Sequence, residues 1–123
     1  MVGSVTNPGR SGVYDWLLQR VTAVVIGVYF VGMVAFLVMN PGMDHASWKA
    51  CMASLPMQII NTLVLVSVLL HAWAGLWIVT TDYLTRAQIG SAGTAVRLLV
   101  QVLVVGLCAV YLLWGLVMIW GGA

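Results

Sequence analysis

The run Ser67-Val68-Leu69-Leu70-His71-Ala72-Trp73-Ala74-Gly75 sets one imidazole inside a long apolar stretch. Hydrocarbon offers its ring nitrogens no hydrogen bond, so a histidine at that depth needs a partner. Ser67, His71 and Gly75 are spaced four apart and share one face of a helix, with a small residue a turn above and below the imidazole. Two chemistries fit this spacing. In one, the clearance admits a flat porphyrin whose iron takes the neutral imidazole as an axial ligand. In the other, the small residues let a neighbouring helix approach while His71 hydrogen-bonds across the interface. The other histidine, His45, lies in a loop on the opposite side of the membrane. A haem with two histidine ligands therefore needs its second from another polypeptide.

Asp82 and Tyr83 follow His71 on the same helix, roughly 16 to 18 Å further along the axis at 1.5 Å per residue. That is interface depth. A tyrosine hydroxyl there can donate a hydrogen bond to the carbonyl of a membrane-soluble quinone, and an adjacent carboxylate can orient partners or help deliver protons. The same pair also reads as an interfacial aromatic beside a solvated charge. Arg20 has three readings: snorkelling to lipid headgroups, pairing with Asp15 or Asp82, or neutralising haem propionates through bidentate contacts.

The elements that must carry these residues follow from the hydropathy. The chain of 123 residues is 63% hydrophobic and 7% charged, against roughly a quarter charged in a soluble domain. Its charges lie at or beyond the ends of three apolar runs, as insertion energetics require. The runs predict an all-α membrane protein with spans at about 13–39, 56–80 and 96–120, read as a single membrane-anchor domain. Asn40-Pro41-Gly42 stops the first span, and Pro56 suits the first turn of the second because no amide donor is needed there. Residues 40–55 read as a short loop. Each run exceeds the roughly 20 residues needed to cross a core of about 30 Å. The first is too long for a signal-peptide core and no small-residue cleavage pattern follows it, so it is expected to be retained.

Three spans put Arg10, Arg20, Arg86 and Arg97 on one side and Lys49 on the other. The positive-inside rule then places the N-terminus in the cytoplasm and the C-terminus across the membrane. The net charge of +2, thinly scattered, excludes a nucleic-acid surface. Cys51, in the first loop, and Cys108, deep in the third run, are too differently placed to bridge. Repeats are absent, and so are a nucleotide-binding loop and a cysteine cluster. One histidine without a second titratable group in its span makes a poor proton relay.

Gly9-Arg10-Ser11-Gly12-Val13, then Asp15 and Arg20, precede or open the first span; His71-Ala72-Trp73-x-Gly75-x-Trp77 and Thr81-Asp82-Tyr83 follow in the second. This ordered pair of motifs closely resembles the small hydrophobic anchor, or D chain, of proteobacterial succinate dehydrogenase, respiratory complex II, from Gly9 to the end of the third span. The resemblance implies half of a heterodimeric haem-binding helix bundle in the bacterial inner membrane. It implies haem b held between His71 and a histidine of a second three-helix cytochrome b anchor subunit. It also implies a ubiquinone site shared with the iron–sulfur subunit, with electrons coming from succinate at a flavoprotein subunit. On that pattern His71 is the ligand of the haem iron, Tyr83 the quinone hydrogen-bond donor, Asp82 a neighbour of the quinone site and Arg20 a propionate contact. Membrane lipid is the surrounding partner, and the chain has no catalytic activity alone. The alternatives are a fumarate reductase anchor, or a cofactor-free three-helix structural or assembly protein.

Overall fold

A computed structural model of the chain describes residues 12–121. The Gly9-Arg10-Ser11 part of the first motif lies outside the described residues. Among the described residues, three helices are long and apolar enough to cross a membrane. They are α1 (Gly12–Met39), α3 (Leu55–Tyr83) and α5 (Gly93–Trp120), with 28, 29 and 28 residues. Each is about 42 to 44 Å long at 1.5 Å per residue, enough to cross the hydrocarbon core with a turn or more to spare.

The breakers act where the sequence places them. α1 stops at Met39, and the Asn40 side chain donates to the Phe36 carbonyl at 2.8 Å, covering an acceptor that the ended helix leaves open. Pro56 lies in the first turn of α3. The stretch read as a loop at 40–55 contains a helix of its own, α2 (His45–Ala53), so Cys51 and Lys49 are helical. Its signal is the cap: the Asp44 carboxylate accepts from the Ser47 backbone N–H at 2.8 Å. Between α3 and α5 run α4 (Arg86–Ile89) and a 3₁₀ turn over Gly90–Ala92. Gly90 has φ +80°, a conformation that a side chain disfavours, and this lets the chain turn into α5 at Gly93, a few residues earlier than the expected start of the third span. At its other end α3 runs to Tyr83, so Asp82 and Tyr83 belong to its last turn.

α3 is the central helix; α1 packs on it, and so does α5. The hydrogen bonds give the register. Thr22 meets His71, and the Tyr29 hydroxyl donates to Asn61 at 2.6 Å, so α1 and α3 are antiparallel. Gln101 donates to Thr80 at 3.0 Å, Gln58 to the Ile119 carbonyl at 3.0 Å and the Trp120 indole to Thr62 at 2.9 Å, so α3 and α5 are antiparallel too. Between these ties the α3–α5 contact is apolar and close: a Cβ on Gly115 would stand 2.7 Å from Leu65 Cδ2. Small residues and a few polar ties are what hold helices together where lipid removes the hydrophobic driving force between them.

Candidate functional site

His71 lies near the middle of α3 with its imidazole part-buried. Its Nδ1 is 3.1 Å from Thr22 Oγ1 on α1. One turn on, Gly75 admits Gln19, whose Nε2 would stand 3.1 Å from an added Cβ. Ser67 and Ala74 are buried at 6% and 0% exposure. The small-residue face of α3 is thus the face on which α1 packs, and the clearance expected beside the imidazole there is filled by helix. The other edge of the ring is open. Nε2 makes no hydrogen bond within the described chain. The buried polar atoms without a partner are Gln19 Oε1 and Trp77 Nε1; His71 Nε2 is not among them, and it reaches the surface of the bundle.

Asp82 and Tyr83 are exposed in the last turn of α3, Tyr83 at 64%. The Tyr83 hydroxyl has no partner in the described chain and is free to donate outward. The helix end beneath it is secured by Gln88. With its amide nitrogen turned toward α3, Gln88 donates to the Asp82 and Tyr83 carbonyls, two of the four acceptors that a helix C-terminus leaves open. Arg20 is exposed, two residues before Thr22 on α1, and its guanidinium lies over the Trp16 ring, 5.4 Å from the centroid. Among the described residues no ion pair joins it to Asp82, which is exposed at the far end of α3. Trp73 and Trp77 stack at 5.1 Å on the helix that carries His71.

The model of the succinate dehydrogenase/fumarate reductase transmembrane subunit family matches residues 4–113. The chain belongs to this family. Among curated relatives, the succinate dehydrogenase hydrophobic membrane anchor subunit of Coxiella burnetii is 34% identical over 116 residues, covering 94% of this chain and 95% of the relative. The protein of the same description from Rickettsia conorii is 30% identical over 77 residues, 62% of this chain and 61% of its own.

In this transmembrane subunit, then, the structure separates the predicted residues into an imidazole near the middle of α3, with Arg20 close to it in height, and the Asp82-Tyr83 pair at the helix end. The sequence reading missed Thr22, Gln19 and Gln88. Thr22 and Gln19 carried part of a signal, being polar residues inside the first span, but which residues of the second span they meet is seen only in the paired helices. Two further grooves are apolar. One of about 580 Å³ runs between α3 and α5 past Leu69, Ala72, Cys108 and Trp114; one of about 240 Å³ lies between α1, α2 and α3 beside Tyr29 and Cys51.

Proposed function

We propose that this chain is the hydrophobic membrane anchor of a bacterial succinate dehydrogenase, and that His71 would supply one ligand to the iron of haem b and Tyr83 part of a ubiquinone site. The observation that carries the haem reading is the division of labour on one imidazole: Nδ1 is tied inward to α1 while Nε2 is open on the bundle surface at membrane depth. A lone pair facing outward there has no water to satisfy it, and an iron held against a second, similar anchor subunit does. The residues present fit the group. When bound, haem supplies a one-electron centre inside the membrane.

The remaining roles belong to this chain's own side chains. His71 would hold the haem iron, its ring oriented by α1 through Thr22. Arg20 is on the Tyr83 side of His71 and within a turn of its height, placed to meet carboxylates such as propionates. Tyr83 offers its hydroxyl hydrogen to a quinone carbonyl at the membrane surface, stabilising charge that develops on that oxygen. Asp82 beside it holds or passes a proton. The names of both relatives support succinate oxidation rather than fumarate reduction. The partners are a three-helix cytochrome b anchor with the second histidine, an iron–sulfur subunit against the Tyr83 end and a flavoprotein subunit. The arginine distribution supports an N-terminus in the cytoplasm and a C-terminus in the periplasm.

The test is a dithionite-reduced minus oxidised visible spectrum of the complex that co-purifies with this chain in mild detergent, repeated for His71→Ala. A b-type signal in the native complex and its loss in the variant are expected. Unaltered haem content and spectrum in His71→Ala would refute the ligand assignment.

A further inference from the structure

We infer that Thr22 is the positioning residue that fixes the tautomer and ring orientation of His71, and through them the reduction potential of the group that His71 holds. The inference rests on the haem reading above and deepens it. Thr22 is buried, 4% exposed. Its hydroxyl oxygen is 2.7 Å from the Leu18 carbonyl and 3.2 Å from the Gln19 carbonyl of its own helix. A hydroxyl has one hydrogen, and both of these neighbours can only accept it. The hydrogen is therefore committed to the α1 backbone, and the side of Oγ1 that faces His71, at 3.1 Å, presents a lone pair.

The imidazole must answer as donor. His71 carries its hydrogen on Nδ1, gives it to Thr22, and keeps the lone pair on Nε2, the nitrogen that opens on the bundle surface. In the other tautomer either two lone pairs would face each other across 3.1 Å, or the hydroxyl would turn its hydrogen to Nδ1 and leave two acceptor oxygens 2.7 Å apart at the Leu18 carbonyl, in a site where the burial of Thr22 keeps water out. A ligating histidine is commonly oriented by a partner on its second nitrogen, which also raises its basicity as a ligand. Here that partner is a neutral hydroxyl locked by its own helix. Donation from Nδ1 strengthens Nε2 as an electron donor to iron and favours the oxidised metal, so removing the acceptor shifts the potential upward.

The experiment compares Thr22→Val, which keeps the volume and removes the hydroxyl, with Thr22→Ser, which keeps the hydroxyl and removes the methyl. Both are made in the whole complex, with haem content and haem midpoint potential as readouts. Thr22→Ser should match the native complex, while Thr22→Val should raise the potential and weaken haem retention, by about 10- to 100-fold in affinity. If Thr22→Val assembles with full haem at the native potential, the inference is overturned while the haem reading stands. If Thr22→Val loses its haem altogether, Thr22→Ser decides: native haem and potential there support the hydroxyl, and loss there too assigns the effect to packing of the methyl and overturns it. A native complex without haem overturns the haem reading and this inference together.

Discussion

At the scale of residues, the proposed function divides the two chemistries that the spacing around His71 allowed between its two ring nitrogens. Nδ1 meets Thr22 on α1, Nε2 is the nitrogen that the proposal gives to a ligand, and Gly75 beside His71 serves the approach of α1 at Gln19. The Tyr83 hydroxyl has the opposite character: it holds nothing together. Tyr83→Phe should therefore leave assembly and haem content unchanged while lowering quinone reduction by roughly tenfold, about the worth of one hydrogen bond. Succinate-to-quinone turnover beside succinate oxidation with a soluble dye measures this, and an unchanged ratio of the two rates would remove Tyr83 from the quinone site. His71, Tyr83, Asp82 and Arg20 were legible in the sequence because polar or charged types are rare in or beside apolar spans. Thr22 was not singled out, because its meaning depends on which residue the neighbouring helix presents, and that register becomes visible only when Tyr29–Asn61 and Thr22–His71 are paired.

At the scale of elements, the spans were legible because hydropathy and breakers act locally, and α1 ends at Asn40-Pro41-Gly42 as that logic requires. Helix α2 was hidden because nine residues of mixed polarity carry no long periodic signal. Its Asp44 carboxyl is held below the ordinary carboxylate range by the side-chain hydrogen bond with Ser47 and then by the Ser47 backbone N–H. A depressed folded value stabilises above the unfolded pKa of about 3.9 and is lost as pH falls through the folded value. Proteolysis in the α2 segment should accordingly be unaffected by pH from neutrality down to about 4 and increase below it, while Asp44→Ala should be open to cleavage throughout. A cleavage rate in Asp44→Ala equal to that of the native chain would dismiss the cap as a stabiliser. Between α3 and α5, Gly115→Leu forces bulk against Leu65 and should destabilise by about 1 to 3 kcal/mol. Thr80→Val, which strips Gln101 of its acceptor, should destabilise by less, about 0.6 kcal/mol. Thermal melting of the complex in detergent ranks the two, and the reverse order would mean that the polar ties, and not close contact, hold this pair of helices.

At the scale of the whole molecule, the surface argues for what surrounds it. Among the described residues only Ala74 and Val104 are buried apolar side chains, while leucines and valines on all three long helices, with Trp16, Trp114 and Trp120, face outward. Lipid covers such a surface without further specification, but it cannot satisfy His71 Nε2. The other histidine cannot reach it: His45 begins α2, beside Lys49 and Asn61 at the far end of the bundle. If His71 holds haem as proposed, one bundle of this kind presents half of a two-histidine site, and its completion is a property of the assembly. The native complex should show a low-spin haem, as two imidazoles give, and stripping the second anchor subunit away should release the haem or convert it to a high-spin form with His71 alone. Electron paramagnetic resonance of the oxidised protein distinguishes these states. A low-spin signal that persists on the isolated chain would require a second strong ligand from within it, which the separation of His45 from His71 does not permit, and would mean that this chain folds around haem differently from the bundle described.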